Sequence, residues 1–186
     1  VWYSVPSFFR LVTERGALDQ RDLSELRLVV YAGEPYPVGA LAEMAAAVPH
    51  AEIVNVYGPA ELNECTNHVV SAATLQGDDV PVGRPWHGVD LRVVDELDDR
   101  FVDVVDGQPG ELWVSAPTVM TGYWRRPDLD ARSLVPRPGG FPWYRTGDMV
   151  VRDPDGLVWF RGRRDHQVKI RGIRLELEAV EAVLTD

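Results

Sequence analysis

The sequence predicts an α/β fold with a β-barrel-like second part, and two patterns along the chain lead to this prediction. Between residues 28 and 57, two short apolar runs flank a segment whose apolar residues recur at helical spacing. After about residue 75, short β-like runs alternate with turn signals. With 186 residues, of which 45% are hydrophobic, the chain can bury a sizeable core.

The first predicted element is a helix that starts at Ser4 and Pro6 and stops at Gly16. Its predicted apolar side consists of Phe8, Phe9 and Val12.

A parallel βαβ unit is predicted over residues 28–57. Residues 28–31 form a buried strand, a helix follows from Pro37 to Pro49, and 53–57 form a second strand. The short connections favour a parallel pair of strands with a crossover helix. The loop that begins at Tyr57 would then lie at the carboxyl end of a strand, where open α/β sheets bind ligands.

The second part of the chain is predicted to be a small barrel or a curled antiparallel sheet. Its predicted strands cover 91–94, 112–114, 149–151 and 157–160, with a turn at 153–156 before the last. At the end of the chain, 175–184 places apolar residues on one helical stripe and is predicted to be a helix.

Composition and charge narrow the possible partners and compartments. A net charge of -10 would repel polyphosphates and anionic lipids, so we expect no nucleic-acid partner and no membrane partner. No signal peptide and no run long enough to span a bilayer are found. Cys65 is the one cysteine, which excludes an internal disulfide and favours the cytoplasm. The four histidines lack ligand spacing, so a transition-metal site is not expected.

Three motifs follow one another in a fixed order. They are Asn55-Val56-Tyr57-Gly58-Pro59-Ala60-Glu61, then Tyr144-Arg145-Thr146-Gly147-Asp148, then the segment from Gly162 to Gly172. In order and spacing they resemble the later core motifs of the adenylate-forming (ANL) superfamily. The likeness is strongest to the amino-acid adenylation domains of nonribosomal peptide synthetases and to free-standing amino-acid:carrier-protein ligases, which serve antibiotic biosynthesis.

The resemblance implies a domain organisation. Residues 1–75 would belong to an α/β subdomain and 76–164 to a β-rich, barrel-like subdomain, together the carboxyl-terminal half of the large adenylation-domain core. Residues 165–186 would hold the hinge and the start of the small carboxyl-terminal domain. The family's phosphate loop and catalytic lysine have no counterpart in the chain, so we expect no adenylation by this segment alone. A further domain inserted after residue 186 is an open alternative.

For ATP, the resemblance implies roles for the first motif. Asn55 would lie near the adenine, Tyr57 would pack on the base, and Gly58 would hold the loop close to the ligand. Glu61 would bind a magnesium ion through hard carboxylate oxygens. Ala60 stands where the family usually has a threonine that contacts phosphate, so weaker phosphate positioning is expected. The alternative is an ordinary strand-to-helix turn.

The other two motifs supply the remaining predicted site residues. Asp148 would bind the ribose, because a carboxylate can accept both vicinal hydroxyls, and Arg163 would bind ribose or phosphate oxygens. Asp165 would be the domain hinge, and Gly172 would lie on the face that admits the carrier's phosphopantetheine arm. The alternatives are a hairpin turn for the second motif and a charged, exposed hairpin for the third. A further family block, Gly110 to Pro127, is expected to build the barrel and not to contact substrate.

Part of an amino-acid pocket is implied as well. By resemblance, six residues surround the substrate side chain: Tyr3, Val30, Ala32, Val56, Glu64 and Cys65. A buried carboxylate without a partner is costly, so Glu64 suggests a cationic or amino-bearing substrate. Alternatively, Glu64 faces solvent or pairs with a residue outside this chain. Cys65 is expected to be part of the pocket wall and not a nucleophile.

The function implied is ATP-dependent activation of an amino acid as aminoacyl-AMP, followed by transfer to the phosphopantetheine thiol of a carrier protein. Two alternatives stay open. An acyl- or aryl-CoA ligase shares the motifs and differs in its acceptor, whereas a nucleotide-binding remnant would have lost catalysis.

Overall fold

The computed structural model describes residues 1–97 and 100–164, and the backbone of 168–170 and 173–175. The described chain forms two compact units, one containing Val1–Val56 and His68–Pro81, the other Tyr57–Asn67 and residues 82–164. Asp165 and Gly172 lie outside the described residues. The predicted domain limits after residues 75 and 164 stay predictions.

The first unit contains the predicted βαβ unit and one strand more. Its strands are β1 (Trp2–Ser4), β2 (Leu28–Tyr31) and β3 (Glu52–Tyr57), and its helices are α1 (Pro6–Arg15), α2 (Val38–Ala47) and α3 (Ala72–Gln76), with a 3-10 turn at Leu18–Gln20. β2 pairs in parallel with β1 and with β3. The parallel pair predicted over residues 28–57 is therefore confirmed.

The start of α1 differs from the prediction. Ser4 ends β1, and the residue that precedes the helix is Val5, whose side chain makes no capping hydrogen bond. Pro6 opens the helix, as its preset φ angle favours. Phe9 is fully buried, but Phe8 is 44% exposed and was wrongly assigned to the apolar side. Consecutive helical residues point about 100° apart, so both phenylalanines cannot face one core.

The two faces of the first sheet have different neighbours. Val29 and Tyr31 on β2 and Ile53 on β3 pack into one core with Phe9 of α1 and with Leu41 of α2. Because side chains alternate along a strand, the residues between them point to the opposite face. That face carries most of the predicted pocket residues.

The second unit is built on an antiparallel sheet. Strands β4 (Thr66–Val69) and β5 (Arg84–Pro85) pair with each other through Thr66 and Asn67. The larger sheet contains β6 (Asp90–Leu97), β7 (Arg100–Asp103), β8 (Pro109–Ser115), β9 (Leu134–Val135), β10 (Trp143–Arg152) and β11 (Val158–Arg163), and a short helix α4 (Pro127–Ser133) precedes β9.

The order β11-β10-β8-β6-β7, with β9 beside β10, is an open path through the described residues. Of the two architectures that the sequence predicted, the antiparallel sheet is the one present. All four predicted strands correspond to members of this sheet, and the predicted turn before β11 is closed by the Gly156 N–H, which donates to the Asp153 carbonyl at 2.8 Å. Buried side chains such as Leu112, Val114 and Val150 form its core.

The third motif continues into a two-stranded hairpin. Strand β12 (Val168–Ile170) pairs antiparallel with β13 (Ile173–Leu175), with Lys169 opposite Arg174. Leu175 ends β13, so the helix predicted from that residue cannot begin there. The rest of that prediction, 176–184, lies outside the described residues.

Candidate functional site

A β-bulge on β10 shapes the second motif. Arg145 pairs with Trp113 of β8, but the next paired residue on β10 is Met149, which lies opposite Glu111. Residues 146–148 therefore stand against a single residue of β8. The Thr146 hydroxyl donates to the Leu112 carbonyl at 2.7 Å and accepts from the Asp148 N–H at 3.0 Å. These bonds fix the backbone from which the Asp148 side chain projects.

Asp148 is a buried carboxylate, 6% exposed, that accepts hydrogen bonds from residues of both other motifs. Arg163 lies directly opposite it on β11 and donates from its guanidinium to Oδ1 at 2.7 Å. The Tyr57 hydroxyl donates to Oδ2. The structure thus brings together one residue of each predicted motif within the second unit.

The Tyr57 hydroxyl keeps its proton over the physiological pH range. Burial, and after it the negative charge of Asp148, raise the pKa of Tyr57 well above its usual value. Tyr57 therefore acts as a hydrogen-bond donor to the carboxylate. Arg163 supplies the positive charge that a buried carboxylate requires.

The loop after Tyr57 folds back tightly on itself. The Cys65 N–H donates to the Tyr57 carbonyl at 2.7 Å, and the Leu62 N–H donates to the Pro59 carbonyl at 3.0 Å. A Cβ atom on Gly58 would lie 1.6 Å from the Asn63 carbonyl oxygen, so only glycine fits. Ala60 lies exposed on this loop.

Glu61 has a partner that the sequence did not suggest. Its carboxylate Oε1 accepts a hydrogen bond from the Tyr123 hydroxyl at 2.8 Å, and its carbonyl accepts from the Met120 N–H at 2.8 Å. Tyr123 belongs to the block that was expected to build the barrel only. The two residues are 62 positions apart, and the only available signal was that both lie in family motifs.

Glu111 is a second residue that sequence reasoning missed. Its carboxylate is 4% exposed, accepts from the Gly147 N–H at 3.1 Å, and pairs with Arg145 at 3.2 Å and with Arg164 at 3.7 Å. It thereby supports the bulge that carries Asp148. The sequence signal that could have identified Glu111 was a glutamate beside the apolar run of a predicted strand, where charged residues are rarely buried without a partner.

Asn55 belongs to the first unit. Its side-chain amide is buried and donates to the Pro81 carbonyl at 2.9 Å. This bond ties the end of β3 to the segment that follows α3.

Four predicted pocket residues share one face of the first sheet. Tyr3 pairs with Val30, and Val30 pairs with Val54, so Val56 projects on the same side as Val30. Ala32 follows β2 and continues that alternation. Val56 is buried, Val30 and Ala32 are half-buried, and Tyr3 is exposed. The core formed with α1 and α2 lies on the other face.

The other two predicted pocket residues belong to the second unit. Cys65 is fully buried, and burial raises the pKa of its thiol to about 12, with the charge of Asp148 contributing. Cys65 is therefore a protonated thiol at neutral pH and a poor nucleophile. Glu64 is half-buried, and no side chain among the described residues forms an ion pair or hydrogen bond with its carboxylate.

The part of the chain that the structure describes holds no group of three His, Cys, Asp or Glu side chains suited to a metal ion. No helix in that part is long and apolar enough to cross a membrane.

Comparison with known proteins gives concordant matches. A family model described as AMP-binding enzyme matches residues 1–124. An L-proline--[L-prolyl-carrier protein] ligase of Streptomyces coelicolor is 40% identical over 184 residues, which are 98% of this chain and 34% of that protein. A ligase of the same name from Pseudomonas fluorescens is 37% identical over 99% of this chain and 34% of its own length.

Solved structures are similar over nearly the whole chain. An adenylation domain of Vibrio cholerae, AlmE, in complex with glycyl-adenosine-5'-phosphate has a TM-score of 0.86 at 32% identity and covers 98% of this chain and 35% of its own. PA1221, an NRPS protein containing adenylation and PCP domains, has a TM-score of 0.85 at 29% identity, covering 98% of this chain and 37% of its own. The chain thus spans about a third of the length of these relatives.

Proposed function

The chain belongs to the family of AMP-binding enzymes, as its three motifs predicted, and we propose that the full-length protein activates an amino acid with ATP as aminoacyl-AMP. In the second step, the acyl group passes to the phosphopantetheine thiol of a carrier protein. The similarity to two L-prolyl-carrier protein ligases supports both steps.

The observation that carries this proposal is the arrangement around Asp148. The Tyr57 hydroxyl donates to one oxygen of this carboxylate and Arg163 donates to the other. A carboxylate oriented in this way can accept hydrogen bonds from vicinal hydroxyls, which is the chemistry of a ribose. The Asp148 side chain is held in one orientation before nucleotide arrives, which lowers the entropy lost on binding.

The remaining nucleotide contacts are proposed from the same loop. Tyr57 is half-buried, and its ring is the stacking surface that we propose for adenine. Gly58 allows the close turn of the loop. For Asn55 we keep the role that the resemblance implies, near the adenine, and its hydrogen bond to the Pro81 carbonyl fixes the side-chain amide.

The chain's donor set fits a magnesium ion bound together with phosphates. Mg²⁺ is usually held by one or two carboxylates plus phosphate oxygens and water, so a single glutamate suffices. Glu61 is that carboxylate, and its hydrogen bond to Tyr123 is typical support for a ligand. When bound, the ion would neutralise charge on the phosphates.

Two substrate classes are favoured by different observations. The half-buried Glu64 carboxylate has no ion-pair or hydrogen-bond partner among the described side chains, which supports a cationic or amino-bearing substrate side chain. The named activity of the two relatives supports L-proline.

Asp165 as the hinge and Gly172 as part of the thioester-forming face remain proposals from the family motif.

Transfer to a carrier protein is tested by incubating the full-length protein with ATP, magnesium and an amino-acid panel, and with either a phosphopantetheinylated carrier protein or coenzyme A. Intact-mass spectrometry should detect an aminoacyl thioester on the carrier. Aminoacyl-CoA formation at equal or greater rate would favour the CoA-ligase alternative. Nucleotide binding with no thioester and no adenylate would favour the non-catalytic remnant.

A further inference from the structure

We infer that Tyr123 is a positioning residue that holds the Glu61 carboxylate in the orientation required by the cation on the ATP phosphates. The inference rests on the proposed function and concerns a residue for which the sequence predicted no functional role. It starts from the hydrogen bond between the Tyr123 hydroxyl and Glu61 Oε1, 2.8 Å long.

The segment around Tyr123 holds Glu61 at two points. The Met120 N–H donates to the Glu61 carbonyl at 2.8 Å, while the Tyr123 hydroxyl binds the carboxylate. Glu61 is only 9% exposed, so few other orientations are open to its side chain. The backbone and the side-chain end of Glu61 are thus both held by residues 120–123.

Tyr123 is itself fixed by two further residues. Its N–H donates to Asp130 Oδ1 of α4 at 2.7 Å, and its hydroxyl lies 3.3 Å from the Tyr144 hydroxyl. A Cβ atom on the preceding Gly122 would lie 2.8 Å from the Asp130 carboxylate, so the segment packs closely against α4. The ring therefore presents its hydroxyl from a rigid support.

A glutamate that binds a cation loses rotamer freedom when it does so. A hydrogen bond that has already fixed the carboxylate removes part of this loss, as partners of metal-binding carboxylates generally do. The contribution of Tyr123 should therefore depend on magnesium and should be absent from nucleotide binding without the metal.

The test compares Tyr123→Phe with a matched control, Tyr36→Phe, in the full-length protein. Tyr36 lies in the first unit, is buried, and has a hydroxyl with no hydrogen-bond partner among the described residues. Isothermal titration calorimetry gives the ATP dissociation constant over a series of magnesium concentrations and in excess EDTA. The magnesium concentration at which half of the increase in ATP affinity is reached is the magnesium midpoint. For Tyr123→Phe we expect this midpoint to rise about tenfold, the effect of losing one hydrogen bond to a charged group.

In EDTA, ATP affinity should be the same for Tyr123→Phe, Tyr36→Phe and wild type. A double variant, Glu61→Gln with Tyr123→Phe, should bind no more weakly than Glu61→Gln alone, because the tyrosine acts through the glutamate. The measurement in EDTA also separates positioning from a general loss of fold, because a misfolded variant would bind ATP more weakly in EDTA too.

Two results would overturn the inference while leaving the proposed function intact. One is an unchanged magnesium midpoint in Tyr123→Phe, and the other is an equal loss of affinity with and without magnesium. If wild type binds no nucleotide under any condition, the proposed function fails and the inference fails with it.

Discussion

Asp148 and Arg163 face each other on adjacent antiparallel strands, and their carboxylate and guanidinium groups meet at 2.7 Å with little exposure to solvent. The pair joins the second and third motifs, which are separated by a turn at Asp153–Gly156. The same carboxylate accepts the Tyr57 hydroxyl from the first motif. The strand register and the Tyr57 hydrogen bond thus bring residues of all three motifs together in one polar cluster.

The buried ion pair predicts a stability cost when one partner is removed. Arg163→Met would remove the guanidinium that pairs with Asp148 and should lower the free energy of unfolding by about 3 kcal/mol. Urea denaturation followed by fluorescence measures this change. The double variant Asp148→Asn with Arg163→Met should recover part of the loss, and a single variant as stable as wild type would contradict the pairing.

The hydrogen bond from the Tyr57 hydroxyl to Asp148 should contribute to ATP affinity separately from adenine stacking. Tyr57→Phe keeps the aromatic ring and removes the donor to Asp148, so ATP affinity should fall about tenfold. Because the hydroxyl acts on the ribose-binding carboxylate, discrimination between ATP and 2'-deoxy-ATP should fall as well. Calorimetry with both nucleotides measures this, and unchanged discrimination would show that the hydroxyl does not position Asp148.

The close approach of Gly58 to the Asn63 backbone should make glycine necessary at this position, and Gly39 provides a control. In Gly58→Ala the added methyl group would collide with the Asn63 backbone, so the loop must shift and nucleotide binding should be lost. Gly39 lies in α2, where an added Cβ atom would have no neighbouring atom within 4 Å. Gly39→Ala should therefore stabilise the protein by about 0.5–1 kcal/mol and leave binding unchanged. Normal nucleotide affinity in Gly58→Ala would contradict the loop geometry.

The raised pKa of the buried Cys65 thiol should make the protein less stable at alkaline pH. An unfolded thiol loses its proton near pH 9, whereas burial holds the folded pKa at about 12. Ionisation therefore favours the unfolded chain as the pH rises above 9. The free energy of unfolding should fall by up to about 1.4 kcal/mol per pH unit over this window.

Urea denaturation between pH 9 and pH 10 tests this, and a variant without the thiol is needed because the unfolded hydroxyls of buried tyrosines also begin to ionise in this window. In Cys65→Ala, which is expected to be less stable throughout, the decline in that window should be smaller. Equal slopes for the two proteins would contradict the buried thiol.

Sequence patterns predicted the elements that have strong local signals. The apolar runs around α2 predicted β2, β3 and their parallel pairing, whereas Tyr57, Asp148 and Arg163 were implied as site residues by the resemblance of their motifs to a known family. β1 was missed because three residues before a proline carry little periodicity. Ser4 was interpreted as a helix cap because its local sequence fits a cap equally well.

The supporting contacts could not be predicted because they depend on packing between distant segments. Tyr123 reaches Glu61 across 62 positions, and Glu111 reaches Gly147 across 36. Nothing local to Tyr123 distinguishes it from a core tyrosine. The bulge at 146–148 is defined by pairing with β8, which the motif does not reveal, although Gly147 of the motif supplies the left-handed backbone that a bulge favours.

The central claim is that Asp148 binds the ribose of an ATP used to activate an amino acid. The most direct measurement is amino-acid-dependent ATP/pyrophosphate exchange by the full-length protein, with neutral, acidic and basic amino acids and with L-proline. We expect exchange with at least one amino acid, a loss of at least about tenfold in Asp148→Asn, and no change in Asp155→Asn at an exposed turn. Absence of exchange with every amino acid, or full exchange in Asp148→Asn, would contradict the account.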